Sequence, residues 1–178
     1  MKQLIVGLVA FAALGWMATP AHADFFAVGY DLPVSVTVDG ESGKNINGYK
    51  LTLATPIAVG LAFESYAATF EGDNTETRIG FYFYELFWDL PVPVINIQIG
   101  GGLGTVRPEI TEPTGFDKVY DDAAMTQYYV SVGLPIAVLF DVHVGYHTFA
   151  GTAKSDNALI DDLDINGNMI SVGAKIGF

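Results

Sequence analysis

The chain has no cysteine, which excludes a disulfide scaffold and any thiolate metal centre. It is also poor in cations: 8 Lys and Arg stand against 20 Asp and Glu, a balance that repels the phosphate backbone and makes nucleic acid an improbable partner. Charge of either sign is scarce, at 16% of 178 residues, while 51% are hydrophobic, which is rich for a soluble protein of this size. Yet the body of the chain lacks any apolar run near the roughly 18–20 residues of a membrane-spanning helix. If lipid is the solvent for this surplus, strands must face it.

The first residues read differently. Met1 to Gln3 make a short cationic start, Leu4 to Ala18 an apolar stretch, and Pro20 precedes the small-x-small signal Ala21-His22-Ala23. Residues 1–23 are therefore expected to be a cleaved secretory signal peptide, since the run is under-length for an anchor, and residues 24–178 the single mature domain beginning at Asp24. Cleavage removes Lys2 and no acid, leaving 7 basic against 20 acidic side chains, a net charge of −13.

Four segments look alike: LPVSV from Leu32, TPIAV from Thr55, LPVPV from Leu90 and LPIAV from Leu134. Each sets a turn-forming Pro ahead of an alternating apolar stretch, as expected of a repeated hairpin. Between them lie polar stretches at 39–47, 70–77, 107–124 and 150–164, which read as loops. Eight strands follow, over about 26–38, 48–55, 57–68, 78–88, 94–106, 125–133, 136–149 and 168–178. Most have the ~9–11 residues a tilted strand needs to cross a bilayer, with short turns at one end and long loops at the other.

Alternation assigns the faces. Around Val138 to Tyr146 the even positions are apolar, whereas Asp141, His143, Gly145 and His147 share the other face. Small or polar residues also alternate at Ala58, Gly60, Ala62 and Glu64, at Asn96, Gln98, Gly100, Gly102 and Gly104, and at Ser171, Gly173 and Lys175. Such groups suit the crowded inside of a narrow barrel, and the branched and aromatic groups opposite them suit lipid. Two places resist. In the first strand the even positions stay apolar from Phe26 to Val38, yet Pro33 cannot donate to a ladder, so a bulge or break is expected there. In the fourth, either Phe81, Phe83 and Phe87 face lipid together with Glu85, or Tyr82, Tyr84, Leu86 and Trp88 do; pairing Glu85 with an inward Lys50 or Lys175 favours the second.

The expected fold is thus an all-β, eight-stranded, antiparallel up-and-down transmembrane barrel. With a cleavable leader, alternating strands and a last strand whose Ile170, Val172, Ala174, Ile176 and Phe178 share one face, the chain resembles the small eight-stranded bacterial outer-membrane proteins, the OmpA transmembrane domain, OmpX and the OmpW-like barrels. The resemblance implies residence in the bacterial outer membrane, contact with membrane lipid and lipopolysaccharide, and a C-terminal assembly signal, Phe178 with Ile176, Val172 and Ile170, read by the outer-membrane assembly machinery. It transfers no activity.

The inward polar set is Lys50, Glu64, Glu85, Asp141, His143, His147 and Lys175, accompanied by Gln98 and Gln127. Charges of both signs in a confined space are expected to pair and fill it. Asp141, His143 and His147 are too far apart along one strand to form a compact triad or metal site, and the His-x-Ser-Asn motif of the lipid A deacylases has no match at His143-Val144-Gly145 or His147-Thr148-Phe149. No catalytic residue is assigned. Asp162, Asp164 and Asn166, in DLDINGN, have the spacing of the first calcium ligands of an EF-hand loop, but position twelve is Gly173, and a turn at Asn166-Gly167 explains the same letters. No cofactor is expected beyond Ca2+ or Mg2+ at the acidic loops, which hold 14 of the 20 acids. The reading is a monomeric, non-enzymatic barrel with a structural, surface-interaction or small-molecule-permeation role; the alternative is a barrel that binds or modifies a lipid or other hydrophobic ligand.

Overall fold

Period-two alternation over eight segments produces eight long strands, because an extended chain sends successive side chains to opposite faces. The computed structural model describes residues 26–72, 75–90, 92, 94–112, 120–137, 139–155 and 162–178; the expected signal peptide and Asp24 lie outside them. The strands are β1 (Ala27–Val38), the two-residue β2 (Glu41–Ser42), β3 (Lys44–Ala54), β4 (Val59–Glu71), β5 (Glu76–Leu90), β6 (Asn96–Glu112), β7 (Ala123–Ala137), β8 (Phe140–Ala153) and β9 (Leu163–Gly177). Each long strand pairs antiparallel with the next, and β1 pairs with β9 from Ala27↔Gly177 to Val38↔Gly167. The sheet is therefore a closed eight-stranded barrel, with β2 a small addition to the edge of β1.

The expected bulge lies at Pro33. Along β9 the register passes from Pro33↔Ser171 to Ser35↔Ile170, so Val34 is the extra residue. One added residue reverses the faces that follow. Val28, Tyr30, Leu32 and Val34 point outward, but Val36 and Val38 are buried inside, so the run of apolar even positions is divided between the two faces.

Several boundaries also differ from expectation. LPVSV lies within β1, Leu134 to Ala137 end β7 and Leu90 ends β5, while Thr55 to Ala58 of TPIAV connect β3 to β4. The first polar loop is a tight hairpin over Asp39-Gly40, both at positive φ (49° and 89°), the Asp-Gly pattern of a two-residue turn. No turn occurs at Asn166-Gly167, where β9 runs straight through. Strands β4 to β9 extend into stretches expected as loops because the polarity pattern changes phase there. On β8, Val144 and Tyr146 face out and His147 in; farther along, Thr148 and Thr152 face out while Phe149 and Ala153 are buried. Around the middle the barrel is apolar outside and polar inside; toward the long-loop end it is the reverse.

β5 takes the second of its two orientations. Phe81, Phe83, Glu85 and Phe87 are buried, while Tyr82, Tyr84, Leu86 and Trp88 are exposed on the outer wall. Facing glycines make room for these rings: a Cβ on Gly104 would stand 2.4 Å from the Phe83 ring, and one on Gly60 2.0 Å from the Phe87 ring.

Candidate functional site

Among the described residues, the interior gathers the buried ionisable side chains, and it is layered. At the long-loop end Phe81 stacks on Tyr66 with ring centroids 4.6 Å apart and meets Phe149 at 5.0 Å. Val36, Phe83, Val106, Met125 and Met169 pack into the same buried cluster, which would otherwise be open to water. At the short-turn end a smaller cluster joins Phe87 to Ala27, Ala54, Ala62 and Tyr129.

A central polar layer lies next to Tyr66 and Phe83. Lys50 on β3 reaches across the lumen to Glu85 on β5, Nζ to Oε2 2.7 Å, with both side chains almost fully buried. The approach lacks hydrogen-bond direction because the ammonium also sits 3.1 Å over the Tyr129 ring centroid, so the pair is held by charge and by the ring face together. Gln127 Nε2 contacts Glu64 Oε2 at 2.5 Å, Glu85 Oε1 at 2.6 Å and His147 Nδ1 at 3.2 Å. The other face of His147 is tied to Ser171, Nε2 to Oγ 3.1 Å.

A third layer sits nearer the short turns. His143 lies between two carboxylates, Nδ1 3.0 Å from Asp141 and Nε2 in a short contact with Asp31. A ring with a carboxylate on each nitrogen satisfies both only by donating twice, that is, as imidazolium. Asn96 donates to Asp141; Lys175 and Gln98 both reach Asp89 Oδ1, at 3.4 and 3.1 Å, and Tyr129 donates to Gln98 at 3.0 Å. A narrow polar crevice opens among Thr52, Asp89, Asn96, Ser131 and Lys175.

Of the residues singled out from sequence, Lys50, Glu64, Glu85 and His147 come together in the central layer, while Asp141, His143 and Lys175 belong to the layer below. Asn96 takes the inward side that alternation gave it, whereas Asp31, Asp89 and Tyr129 were missed. Asp31 shares the parity of Gly29 and Tyr129 that of Gln127, so alternation carried a signal for these two that their turn-like and aromatic character masked. Asp162 is exposed and accepts from the Ser155 amide; Asp164 and Asn166 project from the outer face of β9, roughly 7 Å apart along the strand. The structure does not bring these three together. Phe178 closes the barrel edge through reciprocal backbone hydrogen bonds with Phe26, and Ile170, Val172 and Ile176 share its exposure. Outside the apolar belt, Arg107 makes a forked contact with Asp122, which holds its guanidinium pKa above the ordinary value.

The chain is similar in structure to Neisserial surface protein A, with a TM-score of 0.65 and 14% identity over 86% of this chain and 97% of that one. It is similar to the attachment invasion locus protein Ail of Yersinia pestis, at 0.57 and 15% over 86% and 96%. The N-terminal β-barrel domain of Pseudomonas aeruginosa OprF gives 0.53 and 10% over 85% and 97%. No family model and no curated protein matches the sequence. At these identities the likeness is one of fold: an eight-stranded antiparallel barrel of the small outer-membrane type.

Proposed function

From that fold we propose that this protein spans the bacterial outer membrane as a closed, non-enzymatic barrel, and that its work is done at the outside, as a structural or surface-interaction element. The observation that carries the reading is the change of polarity along the strands. An exposed belt that includes Tyr30, Leu61, Tyr84, Leu86, Tyr128 and Val144 suits hydrocarbon, and the polar outer wall beyond it suits water. Inside, the Tyr66–Phe81–Phe149 stack above paired charges leaves little room for a solute, as expected of eight strands. A lipid-binding or lipid-modifying barrel would need the inward phenylalanines to line a cavity. Phe81 and Phe83 instead pack against Tyr66, and this gives the alternative no support.

The test is conductance. Purified barrel inserted into planar bilayers should carry little steady current. Reproducible open channels on the order of a nanosiemens would overturn the closed-barrel reading and move small-molecule permeation to first place.

A further inference from the structure

We propose that the centre of the barrel is a divalent metal site, built from Glu64, Glu85 and His147 with Gln127 as fourth donor, for a first-row ion that accepts mixed nitrogen and oxygen ligands, as Zn2+ does. The three residues come from β4, β5 and β8, are buried, and each offers one ligand atom within 4.8 Å of the others. Glu64 Oε2 and His147 Nδ1 are 3.5 Å apart, close to the edge of about 3.4 Å that a tetrahedral site with bonds of about 2.1 Å requires.

Three independent features point to a cation at this spot. The first is the wholly buried Gln127. Its Nε2 is aimed at all three ligand atoms, but two hydrogens cannot serve three acceptors, and Oε1 of the same carboxamide has no partner. A cation takes the three acceptors at once, and the idle carboxamide oxygen, turned toward it, becomes the fourth ligand. The second is His147, whose Nε2 lies 3.1 Å from Ser171 Oγ: in the tautomer that donates there, the Nδ1 lone pair faces the cluster, the arrangement by which an outer partner orients a metal-bound imidazole.

The third is charge. Among the described residues the lumen holds five carboxylates, Asp31, Glu64, Glu85, Asp89 and Asp141, against Lys50, Lys175 and the His143 imidazolium. With all five ionised, two negative charges would be left in a confined space, where uncompensated charge is costly. One divalent ion removes them. Lys50 does not compete for the ligand atom, because it holds Glu85 Oε2 and leaves Oε1 to the ion. A ligand set of imidazole and carboxylate favours a transition ion over Ca2+ or Mg2+, which prefer oxygen throughout.

The experiment uses the full mature barrel, refolded in detergent from metal-free denaturant with Co2+ or Zn2+ present and then desalted through a chelating resin. Folded protein is scored by heat-modifiable gel mobility, metal by mass spectrometry, and Co2+ by its visible absorption. About one ion per folded barrel is expected. H147Q and E64Q should each retain at least about ten-fold less, while D164N on the outer wall should retain as much as wild type. Retention below about a tenth of an ion by folded wild type would overturn the proposal and leave bound protons as the compensating charge. Equal retention by wild type and H147Q would overturn it too, assigning the metal to surface acids. If E64Q fails to fold, wild type and H147Q decide the matter.

Discussion

The Lys50 ammonium stands 2.7 Å from Glu85 Oε2 in the middle of the barrel, with both side chains shielded from water and Tyr129 beneath the charge. Removing one partner strands the other, whereas removing both leaves a neutral contact. K50M should therefore lower the unfolding free energy of the refolded barrel by about 3–5 kcal/mol, and K50M/E85Q by clearly less. Urea titrations of both variants in the same detergent check this; equal losses would mean that the pair is not coupled.

Phe81 carries the aromatic stack at the long-loop end, in contact with both Tyr66 and Phe149. F81A should cost about 3–5 kcal/mol through lost burial and the cavity left behind, because a closed barrel wall cannot collapse onto the gap. The matching loss for Y84A, on the exposed outer wall, should be much smaller in detergent. The same titration reads both.

In protein expressed without residues 1–23, and so without Trp16, Trp88 is the sole tryptophan, and it is 48% exposed on the outer wall near the short turns. It belongs to the aromatic girdle expected at a membrane interface. Brominated lipid should quench most of its fluorescence in reconstituted vesicles. Emission indifferent to bromination would place the belt elsewhere.

Phe178 makes two backbone hydrogen bonds to Phe26 and leaves its ring exposed. Its loss should cost the folded barrel little stability in detergent but should sharply reduce the amount of heat-modifiable protein in the outer membrane of expressing cells. Normal insertion after the deletion would remove its role as an assembly signal.

The barrel itself was legible in the sequence because strand geometry is local: a period of two sends every second side chain to one face whatever the neighbours are. The same logic located the irregularity at Pro33, which has no N–H for a ladder, and put Glu64, Asp141 and Lys175 on the inward parity. It did not reveal that Val36 and Val38 turn inside, since a bulge of one residue is silent in the pattern until partner residues on β9 set the register. Nor did it find the ends of the strands, because beyond the apolar belt the polarity code inverts and outward Arg107 or Thr152 resembles a loop residue.

The choice on β5 needed the closed barrel as well. Tyr84 and Phe83 are both apolar enough for either face, and only the glycines opposite, above all Gly104, leave volume inside for the phenylalanines. Composition and alternation alone determined that this chain is a membrane-type barrel with charge in its lumen, since those depend on each residue's own hydration and on the pleat. Which charges meet was decided by tertiary structure, because closure brings β3, β4, β5, β7 and β8 around one point. Sequence distance says nothing of that point: Glu64 and Gln127 are 63 residues apart and share a hydrogen bond.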